Sequence, residues 1–210
     1  GNHINKISFS PDDTYLAYAS TSPYVARIIN LSNHSGEQEL FCHSNCSIVH
    51  SFNNPYNRIK AIDFSNDGKY FAIGSRLDLG NGEYTALSVY DTSNWSLIFT
   101  DDYGYIENVP EGYSGGYDET RDLVFSPSNE WLATGTMSGN IAIYNLLDWS
   151  ISGTFETGFY GLQGVKVSPD SNHIFPFTDY NSNPGIQMLD LSTGATTIYS
   201  QPCDQISNQP

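Results

Sequence analysis

Apolar and polar residues alternate along this chain in short runs, and Asn, Asp, Gly, Pro and Ser cut the runs apart. The stretch from Ile62 to Ser75, IDFSNDGKYFAIGS, sets the pattern. An apolar strand ends at Phe64, the chain turns through Asn66, Asp67 and Gly68, and a second strand runs through Phe71 and Ile73. Period-two alternation on both sides of such a turn predicts an antiparallel hairpin, because these turn residues tolerate positive φ. The arrangement recurs from Phe9 to Leu16, from Phe125 to Leu132 and from Val167 to Ile174, each time with a step of seven residues between the apolar anchors.

Two further strand patterns follow each hairpin. In the first unit Tyr15–Ala19 leads to Val25–Ile29 and Glu39–Phe41. In the second, Tyr70–Gly74 leads to Ala86–Tyr90 and Ser96–Phe99. The third has Trp131–Gly135, Ile141–Tyr144 and Ile151–Phe155, and the fourth His173–Phe177, Ile186–Leu189 and Thr196–Tyr199. No stripe of period 3.6 survives the Gly, Pro and Asn punctuation, so helices are not expected. Four strands in each of four units predict an all-β chain of radially repeated sheets. The expected organisation is one domain over residues 1–210, with units near 1–48, 56–102, 120–157 and 161–202 and an inserted loop at 100–120.

The run FSPSNEWLATGTMSGNIAIYNL, Phe125 to Leu146, resembles a WD40 repeat, and FSPDDTYLAYAS, Phe9 to Ser20, is similar to the TolB-type propeller repeat. The resemblance implies a β-propeller of four four-stranded antiparallel blades, either closed on itself or an arc completed by other chains. It also implies that the first strand of each unit lines a central channel, with Ile7 and Phe9, Ile62 and Phe64, Leu123 and Phe125, and Val165 and Val167 in the inner-strand core. The Trp-Asp pair of that family stands here as Ile29-Asn30, Tyr90-Asp91, Tyr144-Asn145 and Leu189-Asp190, and its Gly-His pair survives only as a stretched Gly1-Asn2-His3. The hydrogen-bonded Asp-His-Ser-Trp network of a typical blade is therefore not expected. Pro176 falls mid-strand, where the missing N–H predicts a bulge or a place beside an edge.

Charge narrows the partners. Eight basic residues against 23 acidic ones give a net charge of −15, which repels a phosphate backbone and argues against nucleic acid. No apolar run is long enough for a membrane-spanning helix. Only 15% of residues are charged, so Asn, Ser, Thr, Tyr and Gly must make the surface. That composition suits an extracellular or cell-surface protein, with a cytoplasmic scaffold as the alternative.

Candidate chemistry gathers in the inserted loop. It carries Tyr103, Tyr105, Glu107, Glu111, Tyr113, Tyr117 and Asp118. An ordinary solvated loop has acids without such aromatics; tyrosine offers a rigid face with a polar tip, suited to a protein partner or a glycan. Ser114 lies in Gly-Tyr-Ser-Gly-Gly, which fits G-x-S-x-G, but that motif acts between a strand and a helix, and no helix follows. DLGNGE, Asp78 to Glu83, imitates a calcium loop without its twelve-residue frame, and a strand-to-strand turn is the reading preferred. Cys42 and Cys46 are spaced for a local disulfide, with three free thiols as the alternative once Cys203 is counted. A zinc site from Cys42, His43, Cys46 and His50 lacks a second ligand pair at a known spacing. Sequons place N-glycosylation at Asn33, Asn45 and Asn94 if the chain is secreted; Asn30 matches the structural Asp position instead.

The sequence thus points to a non-catalytic platform for binding protein partners or copies of itself, with no cofactor. Alternatives are a glycosylated structural subunit of a stacked assembly and, further off, a propeller enzyme acting on glycans. The end faces are expected to be buried, through Ile7 and Leu16 at one end and Val165 and Ile174 at the other, with Cys203 placed to cross-link such a junction.

Overall fold

The alternation becomes sixteen strands in a computed structural model that describes residues 3–21, 24–31, 48–53, 57–78, 83–101, 119–159, 161–178 and 185–199. The first sheet holds β1 (Ile4–Phe9), β2 (Tyr15–Thr21), β3 (Tyr24–Asn30) and β4 (Ile48–Asn53). The second holds β5 (Asn57–Phe64), β6 (Tyr70–Asp78), β7 (Glu83–Asp91) and β8 (Ser96–Asp101). The third holds β9 (Thr120–Phe125), β10 (Trp131–Thr136), β11 (Asn140–Asn145) and β12 (Ile151–Glu156), and the fourth β13 (Gly164–Val167), β14 (His173–Thr178), β15 (Gly185–Asp190) and β16 (Thr196–Tyr199). Each sheet is antiparallel with its strands in chain order. This is the four-bladed, all-β arrangement that the repeats imply.

One serine organises every first turn. Ser10, Ser65, Ser126 and Ser168 each accept a hydrogen bond at Oγ from the backbone N–H five residues on, at 2.8, 2.9, 3.2 and 2.9 Å. The backbone N–H of each serine in turn donates to the carbonyl of that same residue. The residue three after the serine has positive φ: Asp13, Gly68, Asn129 and Ser171. Asp12, Asp67 and Asp170 accept from their serines, and this local bonding holds each carboxylate below its ordinary pKa, Asp170 at about 2. For the partly buried Asp67, desolvation acts the other way, and the bonds from Lys69 and Ser65 outweigh it.

The sheets stack face against face in chain order. The front face of one sheet, turned to the next, is built of small residues. At the third and fifth positions of the second strand stand Ala17 and Ala19, Ala72 and Gly74, and Ala133 and Gly135. The rear face of the following sheet supplies the bulk. Ile62, Phe64, Phe71 and Ile73 fill against Ala17 and Ala19. Leu123, Phe125, Leu132 and Tyr144 fill against Ala72, and Val165, Ile174 and Leu189 against Ala133. A Cβ on Gly74 would lie 2.5 Å from Thr120 Cγ2, and one on Gly135 2.4 Å from Val165 Cγ2. Both distances are far inside contact, so glycine is what lets the next inner strand approach.

Several strand readings are corrected. The outer strand of the first unit is β4, Ile48–Asn53; residues 39–41, where alternation suggested it, lie outside the described residues. β6 and β7 run on to pair Asp78 with Glu83, so the ends of the DLGNGE segment belong to strands. Pro176 shows no bulge, and its strand β14 lies beside the edge strand β13, the second of the two places expected for it. It lies in an interior strand opposite Val165, and pairing with β15 lapses at Phe175 and Pro176, then resumes in the same register. Val165 and Ile174 are buried, but against the third sheet, so they do not form the free end face.

Candidate functional site

The inner strands β1, β5, β9 and β13 do not pair with one another, so their free edges need other partners. Side chains supply them. Asn5 Nδ2 donates to the Ile59 carbonyl at 2.8 Å. The Phe125 N–H donates to Asp63 Oδ2 at 3.2 Å, and the Val165 N–H to Asp122 Oδ2 at 3.1 Å. Each bond reaches from one blade to the inner strand of the next. Asp63 also accepts from Ser8 Oγ at 3.1 Å, and Asp122 from Lys6 Nζ at 2.9 Å, the latter joining the first sheet to the third. Glu119 is held by Arg121 Nε at 2.9 Å.

Asp63 stands out electrostatically. Burial pushes its carboxyl up to about 6, against the hydrogen bonds from Phe125, Ser8 and Phe64, and the nearby Asp122 charge adds to the rise. It borders a cavity of about 290 Å³ beside the first turns of the first three blades, with Phe9, Pro11, Phe64, Phe125 and, from the fourth blade, Val167 among its walls. A pocket of that size, walled by apolar side chains and by Asp63, Ser65 and Asn66, suits a small group or an inserted side chain. Both oxygens of each axial carboxylate, Asp63 and Asp122, are already engaged in holding blades together.

The second candidate surface is the inner-strand side of the first sheet's rear face; farther out on that face Val25 and Ile29 are buried. Ile7 is 60% exposed and Phe9 54%, whereas their counterparts Ile62 and Phe64 are each 5% exposed. Leu16 beside them is half-buried. At the other end, the front face of the fourth sheet exposes Ile186 and Tyr199, paired in register and adjoining Phe177.

The acidic tyrosine loop lies outside the described residues, with Tyr103, Tyr105, Glu107, Glu111, Tyr113, Tyr117 and Asp118 all in it. So do Ser114, Asn33, Asn45, Cys42, Cys46 and Cys203. The described ends of that loop are anchored: Tyr144 Oη donates to Asp101 Oδ2 at 2.8 Å, and the Met137 N–H donates to the Glu119 carbonyl. Burial, together with the Asp101 charge, pushes the Tyr144 hydroxyl well above its ordinary pKa. Asn94 sits exposed in the turn between β7 and β8, its Oδ1 accepting from the Ser96 N–H at 2.8 Å. Asp91, Asn145 and Asp190, at the Trp-Asp positions, do local work instead of joining a cross-blade network. Each accepts at Oδ1 from the N–H two residues on, at 2.8 Å in all three. Among the described residues no three His, Cys, Asp or Glu gather as a metal site. No helix among them is long and apolar enough to cross a membrane.

The sequence did not single out Asp63, Asp122 or Lys6. The available signal was a charge inside an otherwise apolar inner strand, as in Ile62-Asp63-Phe64.

The geometry defines a class: stacked four-stranded blades around a polar axis. The family model for the WD domain, G-beta repeat, matches residues 111–145. That match falls on the third blade, and the other three sheets repeat its plan of four antiparallel strands in chain order, as in a β-propeller. Among solved structures it is similar to the Kuenenia stuttgartiensis hydrazine synthase, with a TM-score of 0.67 and 14% identity over 93% of this chain. It spans 49% of the length of that chain, and at this identity the likeness concerns the fold alone. No curated protein matches the chain.

Proposed function

We propose that the chain is a non-catalytic binding and assembly platform exposed outside the cell. The observation that carries this reading is the exposure of Ile7 and Phe9 on the inner-strand side of the first sheet's rear face, whose counterparts Ile62, Phe64, Leu123 and Phe125 are buried in the next two sheets. Apolar surface of this kind marks a contact site, since its removal from water is worth about 25 cal/mol per Å². The engaged state of Asp63 and Asp122 supports a structural role for the axial carboxylates, in place of the free acid/base pair that glycan hydrolysis requires. The loop from Tyr103 to Tyr117 is the second recognition element, and glycosylation at Asn94 fits its exposed turn.

Chemical cross-linking of the protein in its native setting, read by mass spectrometry, tests the reading. Intermolecular links from the first sheet or from residues 103–117 are expected. Links confined within the chain, together with turnover of a glycan in a substrate screen, would replace the platform with the enzyme reading.

A further inference from the structure

The cavity of about 290 Å³ beside the first turns draws a wall from every blade: Phe9 from the first, Asp63 and Phe64 from the second, Val124 and Phe125 from the third and Val167 from the fourth. Asp63 is the one charged residue among these walls. The two other polar side chains there are committed elsewhere. Ser65 Oγ donates to Asp67 and accepts from the Tyr70 N–H, and Asn66 Nδ2 donates to the Ser126 carbonyl at 3.0 Å. Asp63 accepts from the Ser8 hydroxyl and from the N–H groups of Phe125 and Phe64. A carboxylate offers about four acceptor positions, so at least one is left over. Among the described residues no lysine, arginine or histidine forms an ion pair with Asp63, whereas Asp122 has Lys6 and Glu119 has Arg121, each at 2.9 Å. A carboxylate taken partly out of water without a cation is under-compensated, which is why burial raises its pKa.

We propose that this cavity binds a small primary amine in its ammonium form, with the ammonium donating to Asp63 and the apolar body lying among the rings of Phe9, Phe64 and Phe125. The cation supplies the charge that Asp63 lacks, in a setting where water screens it poorly. Aromatic faces attract cations as well. The body covers Phe9, which is 54% exposed while its counterparts Phe64 and Phe125 are buried. Other ligand classes fit worse. An anion meets Asp63 and a chain of net charge −15, and a divalent metal needs more oxygen ligands than this single carboxylate brings. The site is separate from the platform role, so either can hold without the other.

Calorimetric titration at about pH 7.5, where a carboxyl of pKa about 6 is ionised, tests the site with phenethylamine as the probe. One-to-one binding is expected. Phenethyl alcohol, of the same shape but uncharged, should bind about tenfold more weakly or worse. Asp63→Asn should erase the preference for the amine. Val124→Phe, which fills the cavity from the third blade and leaves the carboxylate in place, should weaken the amine by about tenfold. Circular dichroism checks that both variants fold; if Asp63→Asn does not, the amine and alcohol on the wild-type chain decide the charge and Val124→Phe decides the place. Equal binding of amine and alcohol overturns the proposal, and so does unchanged amine binding in a folded Asp63→Asn or Val124→Phe variant. N-acetyl-lysine methylamide, a second probe, separates a free amine from a side chain. If it binds more tightly than phenethylamine, the occupant is a lysine of a protein partner and the assignment to a free amine falls.

Discussion

The indole of Trp95, in the turn between β7 and β8, meets the ring of Tyr15 edge-on at a centroid distance of 5.7 Å, although the two residues belong to different blades. The arrangement repeats one blade later, where Trp149 meets Tyr70 edge-on at 5.2 Å and stacks on Phe99 at 5.4 Å. Both tryptophans have positive φ, and the same turn of the fourth sheet uses Gly194. The indoles hold a strained backbone conformation because they bridge two sheets. Trp95→Ala should therefore lower stability by about 2–4 kcal/mol. Trp95→Gly, which loses the same contacts but relieves the backbone, should be no worse despite the smaller side chain. Urea midpoints of the two variants check this; a clearly less stable glycine variant would show that the backbone there is not strained.

Phe64 and Phe9 occupy the same position in adjacent blades but different environments. Phe64→Ala opens a hole beside Phe71, whose ring lies 4.8 Å away, and should cost about 3–5 kcal/mol. Phe9→Ala should cost only about 0.5 kcal/mol in the isolated chain. Equal losses in thermal melts would mean that the first blade's rear face is covered at Phe9 as well.

Asp63 should leave a mark on the pH dependence of stability. Burial pushes its carboxyl up to about 6 in the folded protein, above the ordinary 3.8 of an aspartate, so between these values the folded state binds the extra proton. Stability from this group is then fully present below about pH 4 and is lost as pH rises through 6, by roughly 2–3 kcal/mol. The turn carboxylates work in the opposite sense. Asp12, Asp67, Asp91, Asp148, Asp170 and Asp190 are all held low, so their contribution is present above the ordinary carboxylate range and lost on acidification. Subtracting the Asp63→Asn profile from that of wild type isolates the Asp63 part, and a flat difference between pH 4 and 7 contradicts the assignment.

Two glycines with positive φ should behave differently. At Gly139 a Cβ would lie 1.7 Å from the Phe159 carbonyl oxygen, whereas at Gly158 nothing stands within 4 Å. Gly158→Ala bears the backbone strain alone, about 1 kcal/mol, while Gly139→Ala must also displace the chain at Phe159 and should cost about 3 kcal/mol or more. Chemical denaturation separates the two.

What was legible in the sequence follows from the reach of each signal. The hairpins after Phe9, Phe64, Phe125 and Val167 are local, and the seven-residue step with its serine and αL residue fixed them. The first sheet's outer strand was misplaced because a strand at Ile48–Asn53 pairs across a long insertion that carries no periodicity of its own. The free end face was misassigned because alternation gives two faces without saying which meets the neighbour. Only the register, which sets Phe177 opposite Ile186 and Val165 opposite Pro176, shows that Val165 faces inward. Asp63 and Asp122 were passed over for a related reason: a lone acid in an apolar strand reads as a flaw until the unpaired edge it serves is visible.

The stacking also has a direction in time. Within each sheet every strand neighbours its predecessor in the chain, and the cores lie between consecutive sheets, so each blade leaving the ribosome finds its template already made. The Lys6–Asp122 ion pair is different, for it spans 116 residues and cannot close until the third blade exists. Synthesis therefore leaves Lys6 waiting through two blades, and the first strand of the chain acquires its axial anchor only after its own sheet is complete.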